Sequence, residues 1–316
     1  MLKSKSPELL VFIASVLFGF PAILTKMLIG VLSPIAVLTF RFLFLIISFP
    51  FIVCMLKRSS LSDLFSISKT EFKHFFFLSL FLVADMALFF QSFYYIEVST
   101  ALFLFLNYPV MLLLMARFFL KEKITATDIA ATSISLIGIV LVFWSKLNLQ
   151  DYSILGDLMV LSAALLWAGY IVMNRYSANG NHYRKTFWIF LLNSAMFLPL
   201  LILFGNPVGF TNIKIYHFLI LTVLSVVSTL IPYTLLSYTA DRVKSSTSSI
   251  ILLFGPIIGV ILSFVVLKEE VPFNVIAGGF LIVISAFIST FSIEKLLQAS
   301  KYFARKIRTI LFGYNF

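Results

Sequence analysis

The sequence predicts an all-α integral membrane protein of ten transmembrane helices, folded as two inverted five-helix repeats. Composition is the first observation. Of 316 residues, 61% are hydrophobic and 12% charged, with a mean hydropathy of +1.06, whereas a soluble domain carries about 25% charge. Thirty-seven phenylalanines would give a soluble chain of this length far too much apolar surface. The second observation is an internal duplication. STALFLFLNYPVMLLLMARFFLKE, Ser99 to Glu122, returns as STSSIILLFGPIIGVILSFVVLKE, Ser246 to Glu269, with Pro109 matched to Pro256 and no insertion or deletion. Basic residues supply the third. Eighteen of the 24 Lys and Arg fall on one side of the predicted membrane and four (Lys26, Lys146, Lys214 and Lys268) on the other. Such residues collect in cytoplasmic loops, which places both termini in the cytoplasm. The net charge of +11 is therefore a membrane-topology signal, with no nucleic-acid partner implied.

A crossing needs about 20 apolar residues. Ten runs qualify, at about 9–29, 35–56, 73–95, 99–119, 127–145, 156–176, 187–205, 216–238, 246–267 and 274–292. The first is too long, and lacks a small-residue site after Lys26, to read as a cleaved signal peptide. Connections are short, which leaves no room for a soluble catalytic domain. The organisation is a first repeat over 1–145, a second over 146–292 and a basic tail over 293–316. Five spans per repeat is an odd number, so the two repeats enter the bilayer in opposite orientations.

The duplication extends further. Ala130, Ile134 and Ile137 of segment five match Ala277, Leu281 and Ile284 of segment ten, and Ser15, Phe18, Gly19 and Lys26 match Ala164, Trp167, Ala168 and Arg175. Ser15/Gly19 and Ala164/Ala168 are small-xxx-small pairs, which let helices approach closely within lipid. Gly255, Gly259 and Ser263 continue that pattern on segment nine. The tail spaces Ile293, Leu296, Leu297, Ala304, Ile307 and Leu311 helically, with Lys301, Arg305, Lys306 and Arg308 on other faces. Two readings stay open for it: an amphipathic helix on an anionic leaflet, or a solvated basic tail.

These features together resemble the drug/metabolite transporter superfamily, specifically its EamA family. The resemblance rests on the duplicated Pro109 and Pro256 helices ending at Glu122 and Glu269, and on the starts of segments one (FGFPAILTK) and six (LLWAGYIVMNR). It covers about Leu9 to Ser292. The family commonly has glycine before the acidic residue, where Lys121 and Lys268 stand here, so the turn geometry at those points is in question. The resemblance implies a carrier with a central cavity and a small metabolite as substrate.

No residue pattern suggests catalysis. The three histidines are far apart, metal-ligand spacing is absent, and neither a Gly-rich phosphate loop nor a GxSxG elbow occurs. No catalytic residue, metal or cofactor is expected. Lone Cys54 excludes an internal disulfide and reads as a small apolar-facing residue. Trp144 and Trp188 near span ends read as interfacial belt residues.

Asp85 is the most informative side chain, the only acid in the interior of a predicted span. An ionisable group in hydrocarbon is costly unless it faces a cavity or a partner. It can meet a cationic substrate group, exchange a proton, or pair structurally with Arg41 in segment two. Arg41 can equally hold a substrate carboxylate, and Lys26 can snorkel to water. Asn107 and Tyr108 precede Pro109 in mid-membrane, where a missing amide is expected to free a carbonyl one turn earlier, near Phe105. Gly255 and Pro256 make the equivalent break. Gln91, Trp167, Tyr170, Asn174, Tyr233 and Tyr238 are candidates to complete a cavity wall. Glu122 and Glu269 read as helix-end residues that pair with neighbouring lysines, cap the next helix, or gate.

The function expected is secondary, non-ATP transport of a small polar metabolite, an amino acid or derivative, by alternating access across the cytoplasmic membrane. Exchange of an S-adenosylmethionine-type metabolite is the alternative, and a lipid flippase or a non-transporting scaffold stands in another class. A scaffold predicts that Asp85 and Arg41 pair with each other. The expected partners are a small-molecule substrate and the bilayer; monomer and homodimer are both open.

Overall fold

The computed structural model describes residues 7–55, 60–120, 126–144, 153–175, 182–205, 213–239, 243 and 251–299. Among the described residues there is no strand. The first repeat holds α1 (Pro7–Leu17), α2 (Phe20–Leu28), α3 (Pro34–Met55), α4 (Leu61–Phe65), α5 (Lys69–Gln91), α6 (Val98–Phe105), α7 (Tyr108–Leu120) and α8 (Ala126–Trp144). The second holds α9 (Ser153–Arg175), α10 (His182–Phe204), α11 (Ile215–Ser225), α12 (Ile231–Thr239), α13 (Phe254–Leu262) and α14 (Phe273–Ala299). Seven helical stretches are long and apolar enough to cross a membrane, and three shorter apolar ones, Val98–Leu112, Phe254–Leu267 and Phe273–Ile288, stand where segments four, nine and ten are expected. The tail reading at 300–316 and the readings of Lys121 and Glu122 lie outside the described residues. The last helix continues past the expected boundary at 292 to Ala299.

Segments one and four are not single helices. Segment one stops at Leu17 and resumes at Phe20, with Pro21 in the first turn of α2. Segment four stops at Phe105 and resumes at Tyr108, which puts Pro109 in the first turn of α7. Pro256 holds the same place in α13. This corrects the expectation of a proline kink within a continuous helix. The first amides of a helix have no intrahelical acceptor, so proline costs least there. Asn107 bridges the gap by donating from its backbone amide and from Nδ2 to the Leu104 carbonyl, at 3.1 and 2.8 Å. Its Oδ1 accepts from the Ser135 hydroxyl of α8.

The principal helix pairs all cross between the repeats. α1 packs on α12, α3 on α10, α5 on α9, α6 on α13 and α8 on α14. In segment numbers these are one with eight, two with seven, three with six, four with nine and five with ten. Exchanging the repeats returns the same set of pairs, so the fold carries a pseudo-two-fold relation. One large apolar cluster, including Phe42, Leu82, Phe90, Leu104 and Phe190, runs through both repeats.

Small residues permit these approaches, as lipid supplies no hydrophobic drive between helices. A Cβ on Gly138 would lie 2.7 Å from the Gly278 carbonyl oxygen, and one on Gly278 would lie 2.5 Å from that of Gly138. Segments one and nine meet the same way. A Cβ on Gly19 would lie 3.0 Å from the Gly255 carbonyl oxygen, and Ser15 donates to the Ile251 carbonyl at 2.8 Å. The small-residue stripes therefore do what their spacing predicts.

Gly138→Ala pushes a methyl into a backbone oxygen, so a loss of about 1–3 kcal/mol is expected. Ile137→Ala, one residue earlier and 55% exposed, should cost no more than about 0.5 kcal/mol. Thermal unfolding of the purified protein in detergent measures both.

Candidate functional site

Arg41 is placed by α3, whose start is set by Pro34 and by the Ser33 hydroxyl accepting the Ala36 amide at 3.2 Å. Thr39 donates to the Ile35 carbonyl and, at 3.3 Å, to the Phe197 carbonyl of α10. Arg41 itself is 2% exposed, and its Nε donates to Thr229 Oγ1 at 2.7 Å. Thr229 sits in a π-helical turn, Val226–Leu230, and its hydroxyl donates in turn to the Leu224 carbonyl five residues back. The cause of that turn is Pro232, which lacks an amide and crowds the carbonyl four residues earlier. A wider turn accommodates it. Arg41 Nη1 is buried with no hydrogen-bond partner.

Asp85 lies on α5 and is 4% exposed, and its Oδ1 has no hydrogen-bond partner. Among the described residues no ion pair joins it to Arg41; the pair found is Arg184 with Glu71, at 3.0 Å. The structural pairing open from the sequence is therefore not made. Tyr233 of α12 stands within electrostatic reach of Arg41, Asp85 and Tyr170 alike, so the four share one neighbourhood.

An aromatic row borders this neighbourhood. Trp167 stacks on Tyr170 with centroids 5.1 Å apart, Phe105 lies 6.4 Å from Trp167, and Tyr108 lies 5.9 Å from Phe105. Phe18 and Phe190 meet the Tyr233 ring edge-on, at 5.3 and 5.4 Å. α5 and α9 are antiparallel, since Gly169 abuts Phe81 while Gly156 abuts Tyr95 and Ile96. Trp167 and Tyr170 thus come level with the stretch just before Asp85.

Other sequence candidates stand apart. Gln91 is two turns beyond Asp85, with a buried, unpartnered Oε1, and Asn174 is a turn beyond Tyr170 in the opposite direction, with an unpartnered Oδ1. Lys185 Nζ donates to the Asn174 carbonyl at 3.3 Å. Tyr238 is partly buried near the end of α12. Asn107 spends its side chain on the helix break. Trp188, read as a belt residue, donates its indole N–H to the Leu64 carbonyl at 3.0 Å and so ties α4 down.

Sequence reasoning missed several buried polar groups. Ser79 on α5, Asn193 and Ser194 on α10, and Ser228 in the π turn all hold side-chain atoms without a partner. Thr229 was missed as well. Pro232, in the middle of an apolar span, is the signal that could have found the π turn. Asn193 is polar in the middle of segment seven, which is the same class of signal that singled out Asp85.

The Glu269 end has its own cluster. Glu269 was expected to pair with lysines or cap the next helix; it caps α6 of the other repeat. Its Oε1 and Oε2 accept the Val98 and Ser99 amides at 2.8 and 2.9 Å. A carboxylate there answers both orphan amides and the positive end of the helix dipole. Lys268 takes φ 54, the left-handed turn that glycine adopts freely. The turn in question is thus kept despite the lysine. Lys26 reaches the Phe93 carbonyl at 2.7 Å instead of snorkelling free. Glu97 also stands here, beside the Glu269 carboxyl. Burial and then that neighbour push its proton affinity above the ordinary carboxylate range, against the pull of Lys26.

Fold and site together define a multi-pass membrane protein built from a repeated helical unit. The model of the EamA-like transporter family matches residues 5–144 and again 154–291. The chain belongs to the EamA-like transporter family. An uncharacterized transporter of Clostridium kluyveri is 27% identical over 213 residues, spanning 66% of this chain and 68% of that one. The uncharacterized transporter YoaV of Bacillus subtilis is 22% identical over 250 residues, spanning 78% and 83%. A solved crystal structure at 18% identity superposes with a TM-score of 0.64 over 91% of this chain and 99% of its own, a likeness of fold. Family and relatives are transporters rather than enzymes.

Two outcomes are expected at the Glu269 end. Lys268→Gly should raise stability by about 0.5–1 kcal/mol, the left-handed cost less the added chain entropy. Glu97 binds its proton more tightly folded than unfolded. Its stabilising contribution is complete below the ordinary carboxylate range and is lost as pH rises through its raised value. Glu97→Gln should remove that component, so wild type should lose more melting temperature than the variant as pH is raised above the ordinary carboxylate range. Equal slopes would contradict it.

Proposed function

We propose that this protein is a secondary transporter that moves a small zwitterionic metabolite, an amino acid or derivative, by alternating access. One observation carries the reading: Asp85 and Arg41 are both buried near Tyr233, and no ion pair joins them. An acid and a base placed in a low-dielectric interior without pairing leave each a group to receive from a ligand. An ammonium suits Asp85 and a carboxylate suits Arg41. The symmetric pairing of segments supports a rocking of one repeat against the other, as in repeat-built carriers. The asymmetry of Lys and Arg supports insertion in the cell membrane with cytoplasmic termini. Glu269 and the breaks at Pro109 and Gly255–Pro256 are the natural moving points of such a cycle.

The Trp167–Tyr170 stack favours a second reading within the same class. A flat, cationic nucleoside metabolite such as S-adenosylmethionine would lie against that face.

Uptake into proteoliposomes tests both with a labelled panel of neutral amino acids, cationic amino acids and S-adenosylmethionine. Saturable uptake is expected for one class, and Asp85→Asn should lower it roughly tenfold or more. Uptake unchanged by the substitution would take Asp85 out of the site and leave the carrier standing. No uptake by a folded protein would overturn the substrate assignment.

A further inference from the structure

We infer that Asn193 is a specificity-determining residue that holds the substrate carboxylate jointly with Arg41; this rests on the zwitterion reading above. Asn193 is 0% exposed, and neither its Nδ2 donor nor its Oδ1 acceptor has a hydrogen-bond partner. A side-chain amide offers two donors and an acceptor with two lone pairs. Leaving all of them unmade in an apolar interior is unfavourable, and a leucine of the same size would pack there at no such cost. The amide is accounted for by a ligand that completes it.

Its position names the partner group. Phe190 lies one turn before Asn193 and Phe197 one turn after, and both rest on Phe42 of α3, with centroids 6.0 and 5.6 Å apart. Arg41 precedes Phe42 in the chain, and its guanidinium carbon lies 5.8 Å from the Phe42 ring centroid. Asn193 and Arg41 therefore stand at one depth, on two helices that pack along each other. Phe190 also meets Tyr233, the residue within reach of Asp85. Arg41 has given its Nε to Thr229 and has Nη1 open.

A carboxylate fits these vacancies. One oxygen accepts from Arg41 Nη1 and the other from Asn193 Nδ2, while Asn193 Oδ1 is left to accept an N–H of the substrate. Asp85 takes the ammonium. Arg41 belongs to the first repeat and Asn193 to the second, so the carboxylate is gripped by both halves at once. The amine of a ligand lacking a carboxylate would engage Asp85 alone and leave the two halves unlinked.

The test uses the full chain in detergent, with the common amino acids added singly, each beside its methyl ester. Thermal shift finds the binders, and intrinsic tryptophan fluorescence gives their Kd. At least one amino acid is expected to bind wild type while its ester binds weakly. Asn193→Leu should weaken the acid roughly tenfold or more and leave the ester unchanged. The ligand-free Asn193→Leu protein should also melt higher than wild type, because it loses an unsatisfied amide and keeps the volume. An asparagine serving the fold predicts the opposite melting shift.

The inference is overturned if acid and ester bind wild type alike, if Asn193→Leu binds the acid as wild type does, or if it melts lower without ligand. Should no amino acid bind wild type, the zwitterion reading itself fails. The ligand-free melting shift then decides alone, with a rise keeping Asn193 as a ligand-facing group and a fall discarding it.

Discussion

Inside a bilayer, helices gain nothing by burying apolar surface against each other, since lipid tails are as apolar as leucine. Association must come from van der Waals contact and from hydrogen bonds that lipid cannot supply. This chain obtains both across the boundary between its repeats. The Gly138–Gly278 approach is closer than a Cβ would allow, and the Gly19–Gly255 approach leaves a Cβ little room. Each principal pair joins one segment of the first repeat to one of the second. Neither repeat has a separate core; the apolar cluster belongs to both.

The same solvent imposes a second constraint, that every backbone group find a partner within the protein. Helix breaks in segments one and four expose amides and carbonyls where no water can serve them. The chain answers with side chains brought from a distance. Asn107 closes its own break and links it to Ser135, Lys26 takes the Phe93 carbonyl, and Glu269 takes the Val98 and Ser99 amides from across the repeat boundary. The Glu269 contacts fasten the two repeats at one end. Glu97 beside Glu269 makes that fastening sensitive to protons, because two adjacent carboxyl groups do not hold two charges as easily as one.

At the centre the rule is relaxed. Arg41 keeps one nitrogen open, and Asp85 and Asn193 have no partner at the atoms named, in a part of the fold where burial is nearly complete. Other buried polar atoms without a partner occur away from this centre, at Thr25, Gln91, Ser99 and Asn174. Arg41 and Asp85 share the neighbourhood of Tyr233, which sets them apart from the scattered buried polarity and is what the proposed binding site rests on. Exchange between repeats relates the helices of the proposed site as well: α3 and α10 are counterparts and pair with each other.

The sequence by itself determined the membrane class, the repeat and the positions of the spans, because these depend on composition and on spacing along one chain. Asp85 and Arg41 were legible for the same reason: a charge in an apolar run is visible without knowing its neighbours. The paired stripes Ser15/Gly19 and Gly255/Gly259 were legible as contact faces, though not as each other's partners. Only the tertiary structure decided that Asp85 and Arg41 do not pair, that Pro109 and Pro256 begin helices, and that Glu269 caps the opposite repeat. It also decided which polar residues are satisfied, separating Asn107, whose Nδ2 and Oδ1 both find partners, from Asn193, whose Nδ2 and Oδ1 do not. Hydrogen bonding and electrostatics act over a few ångströms in space. Residues more than a hundred positions apart in the chain, such as Arg41 and Thr229, meet only once the two repeats have closed on each other.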